Sequence, residues 1–497
     1  MSHIRLYLSN DTSSIAAGAQ RLAEAWQSRP DIELVRTSSR GAFFLEPMVE
    51  RDSPEGRVAW CHVTLDDLPK ILAGTGAIPV AALPFLSKQT RHTFATFGVT
   101  EPLSPEAYQA HGGCAGLCAA RQLSPSAIIE EIKMSRLRGR GGAAFPVWKK
   151  WDVAATTPAD RKYVVANADE GDAGTYCDRM VMDGDPFRLI EGMLICARAI
   201  GAEAGYIYCR QEYPAATASL HAAILAADAA GWLESDGRRF SIEVVSGAGS
   251  YVCGEETALL ESLEGRRGVV RARPPHTAQS GLYGRPTIVS NVLTFATIPN
   301  ILARGGAWHA SLGTEGSRGT IALQLGGRVK QPGLIEVPFG RTLREVLDQF
   351  GQGMADGARL KAVQVGGPLG SLFTDAQLDI PICFDAFANA DAILGHGGIV
   401  VFDDETDMLE LSRHLMAFVA DESCGKCVPC RIGSLRAREI LEAIQRGQAT
   451  AAELALLTEL GDTMKATSLC GLGSRAPYPV LSALEQFPVE FRSRLRS

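Results

Sequence analysis

The chain has 497 residues, 46% of them apolar and 21% charged, with a formal net charge of −7. That composition supports several packed cores and excludes a disordered chain, while the acidic balance, with no block of like charge, argues against nucleic acid or an anionic membrane as partner. The start, Met-Ser-His-Ile-Arg, lacks the apolar stretch of a signal peptide, and the long uncharged run 71–87 holds two Gly and two Pro, so no membrane span is expected.

Residues 1–100 read as a small α/β unit. Ile4, Leu6 and Leu8 alternate as in a half-buried strand, and Ile15, Leu22 and Trp26 follow at helical spacing. A second strand is expected over 32–35, two more about the turn Ser53-Pro54-Glu55-Gly56, and a closing helix over 66–72. This order suits a thioredoxin-like fold. Over 101–320, helical patterns alternate with buried strands at 162–166 and 240–245, which predicts a mostly parallel α/β sheet with ligands at the strand ends. Residues 321–400 combine short strands (320–325 and 334–337), a helix (343–350) and many glycines, as in a small β-grasp-like module. Over 401–497 the spacing of Met408, Leu411, Leu415 and Phe418, then of Leu435, Ile440, Leu441 and Ile444, marks a helical bundle.

Three polar segments lie where a ligand could bind. Gly139-Arg140-Gly141-Gly142-Ala143-Ala144 matches G-x-G-x-x-A, but 127–134 before it reads as a helix, not the strand that a dinucleotide fingerprint requires. A run without side chains still lets backbone N–H groups approach a phosphate or a flat ring, with Arg140 supplying charge; a plain glycine turn is the alternative. Asn167-Ala168-Asp169-Glu170-Gly171-Asp172 follows the strand ending at Ala166, and its three acids leave a magnesium site open. Gly254-Glu255-Glu256 opens a helix over 257–263 whose N-terminus attracts an anion, or which the two glutamates simply cap.

Twelve mostly isolated cysteines fit a reducing compartment, and the cytoplasm is the expected location. Cys424, Cys427 and Cys430 form C-x2-C-x2-C, a spacing that brings three thiolates to three corners of a 4Fe-4S cluster. The fourth ligand does not follow three residues later; the only later cysteine is Cys470, so the cluster would staple two segments of the bundle. Zinc is the competing reading, but four-cysteine zinc sites usually pair two CxxC knuckles. Lys426 and Arg431 beside the triplet would raise the cluster's potential. Cys114, Cys118, Cys177, Cys196, Cys209, Cys253 and Cys383 are read as structural.

Taken together, Leu-Arg-Gly-Arg-Gly-Gly-Ala-Ala-Phe-Pro, Asn-Ala-Asp-Glu-Gly-Asp, Tyr-Val-Cys-Gly-Glu-Glu-Thr-Ala-Leu, Arg-Pro-Pro-His-Thr-Ala-Gln-Ser-Gly-Leu-Tyr-Gly and Glu-Ser-Cys-Gly-Lys-Cys-Val-Pro-Cys-Arg resemble the flavin-bearing, NADH-oxidising subunit of respiratory complex I. They also resemble its relatives in NAD-linked hydrogenases and molybdenum formate dehydrogenases. The resemblance spans about 111–488 and implies FMN, one 4Fe-4S cluster and NAD(H) as substrate. By motif it makes Gly139, Arg140, Gly141, Gly142, Lys150, Asn167, Asp169, Glu170, Gly254, Glu255, Glu256, Ser290, Asn291 and Thr294 flavin-site residues. Phe145, Asp172 and Arg273 would meet the nicotinamide dinucleotide. Lys150 would favour the anionic reduced flavin and Glu256 would shape the nicotinamide site. Asp172 and Arg273 keep the charge of the family's usual Glu and Lys, Val153 and His276 replace phenylalanines, and Ser290 replaces an Asn. No general acid or base is needed for hydride transfer, and no triad or dyad is found.

The N-terminal unit resembles a thioredoxin-like ferredoxin domain that carries a 2Fe-2S cluster. Residues 1–113 contain only Cys61, and 37–44 contain none, so one thiolate cannot hold that cluster and a degenerate docking domain is expected. Size and layout resemble most the beta subunit of a soluble NAD-dependent formate dehydrogenase. Its implied partners are a molybdenum- and iron-sulfur-containing alpha subunit and a small 2Fe-2S thioredoxin-like gamma subunit. The alternatives are the matching subunit of an NAD-reducing hydrogenase or complex I, and a zinc-stabilised assembly protein without redox role.

Overall fold

The computed structural model describes residues 3–235 and 237–496. β1 (Ile4–Ser9), β2 (Ile32–Thr37), β3 (Val49–Ser53), β4 (Gly56–Trp60) and β5 (Ile78–Pro79) form a sheet in the order β2-β1-β3-β4-β5. β1 and β2 run parallel, as a helical crossover requires, and the other pairings are antiparallel. Leu6 and Leu8 of β1 pack with Leu22, Ala23 and Trp26 of the helix Ala19–Trp26, so the period-2 and period-3.6 patterns bury against each other. The order is the thioredoxin-like one that the pattern predicts.

Residues 37–44, where cluster ligands would sit, form a joint. Ser38 and Ser39 are buried, and the Gly41 carbonyl accepts from Leu334 N at 2.9 Å. A Cβ on Gly184 would stand 2.5 Å from Ser38 Cβ, so the absence of a side chain there lets the two units touch. Cys61 lies half-buried against the small cluster of Met48, Ala59, Val80 and Leu83.

The second sheet is parallel throughout. β6 (Tyr163–Ala168), β7 (Ala204–Cys209), β10 (Ser241–Ser246) and β11 (Thr287–Asn291) take the order β10-β7-β6-β11, with β8 (Glu234–Ser235) and β9 (Arg238–Arg239) a small separate hairpin. The chain builds outward from β6 through β7 to β10, then returns to add β11 on β6's other side. That reversal opens a crevice at the C-terminal ends of β6 and β11, where such sheets bind ligands. Behind it the helices Pro186–Ile200 and Val292–Arg304 pack so closely that a Cβ on Gly192 would strike the Phe295 backbone.

β12 (Thr320–Gly327), β13 (Gly333–Pro338), β14 (Leu360–Val365), β15 (Ser371–Phe373) and β16 (Gly398–Asp403) form the third sheet, β13-β12-β16-β14-β15, around a parallel β12–β16 pair. The expected helix over 343–350 is a single α-turn, Leu343–Val346, that loosens into a π-turn over Leu347–Gly351. The helices Met408–Glu422, Val428–Gln445, Ala451–Thr467 and Pro477–Gln486 close round Met416, Ile440, Leu441, Leu457 and Met464. No helix among the described residues is long and apolar enough to cross a membrane.

Candidate cofactor cleft and iron-sulfur centre

A cleft of about 880 Å³ occupies the crevice at β6 and β11. The glycine segment forms its lip. It follows the helix Pro125–Met134, as predicted, and turns back so that Gly139 N donates to the Phe145 carbonyl at 2.9 Å. Gly142 has φ +94°, which a side chain rarely tolerates, and a Cβ on Gly141 would stand 2.9 Å from Asn291 Cβ. The loop therefore offers bare backbone to a ligand. Arg140 does not offer charge, contrary to expectation: its N–H donates to Thr294 Oγ1 (2.9 Å), while the guanidinium turns away to the Arg318 carbonyl (2.9 Å) and the Phe339 ring. Burial there pulls its pKa down to about 9.

The acidic segment splits into separate tasks. Asn167 Nδ2 donates to the Gly254 carbonyl at 2.7 Å, joining the ends of two loops. Asp169 faces the cleft, and burial pushes its carboxyl up to about 7. Glu170 caps the helix Cys177–Gly184, its two oxygens accepting from Asp178 N and Arg179 N at 2.8 Å each. Asp172 accepts from Tyr251 Oη at 2.6 Å. Glu170 and Asp172 are committed to separate partners, and the three acids do not gather their donor atoms at one point, so the magnesium reading does not fit. Asn291 caps the helix Val292–Arg304 through Leu293 N (2.9 Å) and donates to Asp178 Oδ2 (2.5 Å), with Ser290 beside it on the cleft wall.

Glu255 and Glu256, adjacent in sequence, also divide their work. Glu255 caps the helix Glu256–Leu263, accepting from Thr257 N (2.9 Å) and Ala258 N (3.0 Å). Glu256 instead meets Lys150 Nζ at 2.6 Å and Arg273 Nη1 at 3.2 Å. Burial alone would raise its carboxyl, but Lys150, then Arg273 and His276, more than offset that and hold it below the usual range. Phe145 is half exposed at the lip, and Val153 and His276 also line the cleft. Among the lining residues that escaped the sequence reading are Asp178, His396 and Arg475. His396 lies in the run Gly395-His396-Gly397-Gly398 before β16, and Arg475 donates to the Gly142 carbonyl at 3.3 Å. A lone histidine among glycines ahead of a strand was the available signal for His396.

Cys424, Cys427 and Cys470 lie near enough to Cys430 to push its thiol up, after burial as the main cause. Cys427 precedes the helix Val428–Gln445, and Cys470 precedes the short helix Gly471–Arg475. Gly473 has no side chain, which leaves room for Cys430: a Cβ would lie 2.8 Å from Cys430 Cβ. Backbone N–H groups of Leu472 and Gly473 point at the Cys470 sulfur, and Ser423 Oγ lies 3.3 Å from Cys430 Sγ. Four soft donors from two segments, with hydrogen-bond donors already aimed at the sulfurs, fit a 4Fe-4S cluster. Lys426 donates to the Val270 carbonyl (2.6 Å) and Arg431 to the Gly425 carbonyl (2.5 Å), so both cations stay beside the site. Cys470 and its neighbours also line the cleft. Cluster and cleft share one wall.

Two family models match: the Nuo51 FMN-binding domain over 132–300, and the NADH-ubiquinone oxidoreductase-F iron-sulfur binding region over 410–494. The chain is 44% identical to the HndC component of an NADP-reducing hydrogenase of Solidesulfovibrio fructosivorans over 420 residues, 84% of this chain and 86% of that one. It is 40% identical to an NADH-quinone oxidoreductase subunit of Escherichia coli (strain K12) over 406 residues, 80% of this chain and 91% of the other. Among solved structures, an NAD+-reducing [NiFe]-hydrogenase in the air-oxidised state matches at TM-score 0.72 and 30% identity, covering 100% of this chain and 85% of that chain.

Proposed function

Because the chain belongs to the family of FMN- and iron-sulfur-binding NADH-oxidising flavoprotein subunits, we propose that it is the diaphorase subunit of a soluble NAD-dependent formate dehydrogenase. FMN and a 4Fe-4S cluster are its cofactors and NADH its substrate. Bound FMN supplies the exchange between a two-electron hydride and single electrons. The observation that carries the reading is that Cys470, read here as the fourth cluster ligand, lines the flavin cleft.

The side chains bind and orient. The loop from Gly139 to Gly142 gives FMN its backbone seat, and Asn167, Asp169, Gly254 and Thr294 build the walls. Glu256, kept ionised by Lys150 and Arg273, sets the charge at the nucleotide side, with Phe145 offering an aromatic face. Lys426 and Arg431 keep positive charge at the cluster side. No side chain has to move a proton at the reacting carbon.

Formate as the electron source is supported by the fusion of an N-terminal thioredoxin-like unit that contains one cysteine, with alpha and gamma subunits as partners. A hydrogenase partner is the second reading, favoured because the hydrogenase chain covers all of this one, that unit included. The isolated subunit should oxidise NADH with ferricyanide or a viologen, its flavin bleaching in a stopped-flow trace. A fully flavin-loaded subunit that never bleaches would overturn the diaphorase assignment. Purification of the native complex, assayed for NAD+ reduction with formate and with H2, separates the two partners; activity with H2 and none with formate would overturn the formate reading.

A further inference from the structure

His396 is 6% exposed at the floor of the cleft and is held at both ring nitrogens. Nδ1 lies 2.8 Å from the Arg140 carbonyl oxygen, which can only accept, so Nδ1 carries a proton. Nε2 lies 3.1 Å from Asp178 Oδ2, 3.2 Å from Cys177 Sγ and 3.6 Å from Glu170 Oε1. A bare nitrogen facing two carboxylates would be repelled; a second N–H is attracted. Burial opposes both charges and pushes the Asp178 carboxyl up, but Asp178, then Cys177, outweigh it at His396 and hold the imidazolium well above the usual histidine range.

The same four side chains place donor atoms within 4.8 Å of one another, a spacing that a metal could use. Two of them are already committed. Both Glu170 oxygens accept from helix N–H groups, and Asp178 Oδ2 accepts from Asn291 Nδ2 at 2.5 Å. An ion pair suits these bonds better than a metal, which would have to displace them.

The charge has a consequence for the cleft. Asp169, Glu170, Asp172 and Asp178 all line it on this side, and the nearby Lys150 is spent on Glu256. His396 is the buried cation that faces Asp178 and Glu170 directly, while Arg475 and Arg210 act on Asp172 and Asp169. We propose that His396 is a positioning residue for the flavin: paired with Asp178, it fixes the Arg140 carbonyl of the glycine loop and neutralises the acidic floor, so that the anionic reduced FMN is favoured.

The test is the FMN midpoint potential of the holo-subunit, from a dye-equilibrated reductive titration, in His396→Gln and Asp178→Asn. Glutamine can still donate to the Arg140 carbonyl but carries no charge. It should keep its FMN and its iron and lower the reduced-to-oxidised FMN ratio at fixed potential about tenfold, a fall of about 30 mV for a two-electron couple. With Glu170 still 3.6 Å from Nε2 to keep the imidazolium charged, Asp178→Asn removes a negative charge and should move the potential up. Opposite signs are a readout that a merely structural role would not produce. Unchanged potentials in flavin-loaded variants, or shifts of the same sign, would overturn the proposal. So would a stoichiometric metal beyond the cluster iron in the wild type. Should either variant fail to fold, 15N-histidine NMR of the wild-type holo-subunit decides: a buried histidine ring that stays neutral at pH 7 in this site refutes the ion pair, and one protonated at both nitrogens supports it.

Discussion

Two alanine substitutions, two residues apart in the glycine loop, should separate the seat of the flavin from the packing of the protein. A Cβ on Gly141 would stand 2.9 Å from Asn291 Cβ and 3.4 Å from its Cγ. Asn291 cannot swing aside cheaply, because it caps the helix Val292–Arg304 and bonds Asp178. Overpacking of this kind costs about 1–3 kcal/mol, and a lost cap about 1 kcal/mol. Gly141→Ala should therefore lower the Tm of the flavin-free protein by several degrees and weaken FMN binding about thirtyfold, the equivalent of about 2 kcal/mol. Gly139 is different: a Cβ there meets nothing nearer than the Phe145 backbone at 3.7 Å. Gly139→Ala should leave the flavin-free Tm unchanged yet weaken FMN about tenfold, because the new methyl would occupy cleft surface that the flavin needs. Differential scanning fluorimetry of the flavin-free proteins and FMN fluorescence titration give the two readouts. If Gly139→Ala binds FMN like the wild type, the flavin does not lie against this strip of backbone. If it unfolds as early as Gly141→Ala, the steric reasoning fails.

Other outcomes follow from the same geometry. Cys470→Ala should lose the cluster, seen as missing iron and a missing low-temperature EPR signal after reduction, whereas removing Cys61 should leave the iron content unchanged; full iron in Cys470→Ala would refute the ligand set. Asp169, with its carboxyl pushed up to about 7 by burial, makes the flavin-free fold lose stability as pH rises from about 4, where the unfolded chain ionises first, until about 7, where the folded group ionises too. Asp169→Asn should abolish that slope and add on the order of 4 kcal/mol at pH 8, so parallel pH–stability curves for the two proteins would exclude the effect. Arg273→Ala should raise the KM for NADH while FMN stays bound, since Lys150 still holds Glu256; an unchanged KM, or complete loss of flavin, would show that Arg273 does not serve the nucleotide.

What was legible in the chain tracks how local each signal is. The alternation at Ile4, Leu6 and Leu8 and the buried run 163–166 need only their own neighbours, and both became strands of the expected sheets. The C-x2-C-x2-C signal needs only its own segment, and Cys470 is the one cysteine after it. Capping proved harder to read. Glu170, Glu255 and Glu256 look alike in sequence, yet two of them cap helices and Glu256 is the one that pairs with both Lys150 and Arg273. Which one does so depends on where Lys150 and Arg273 arrive from distant segments. Arg140 misled for the same reason: a glycine-flanked arginine suggests a phosphate ligand, but Phe339 and the Arg318 carbonyl, nearly two hundred residues on, draw it inward.

Those distant partners bear on what the flavin site is made of. Arg140 N bonds Thr294 Oγ1, within the segment that matches the FMN-binding family model. The two neighbouring carbonyls are held from elsewhere: that of Arg140 by His396, ahead of β16 in the third sheet, and that of Gly142 by Arg475, on the short helix that Cys470 begins. Each such bond is worth about 1 kcal/mol net, and more where the donor is charged. The ties to His396, to Arg475 and to the Arg318 carbonyl thus all reach outside 132–300, toward the third sheet and the cluster-bearing bundle. The loop can hold its cleft-facing shape only when those units are docked against the parallel sheet. Seating of the flavin and closure of the iron-sulfur end are therefore properties of one folded arrangement, and a chain that misdocks its C-terminal bundle should fail at both together.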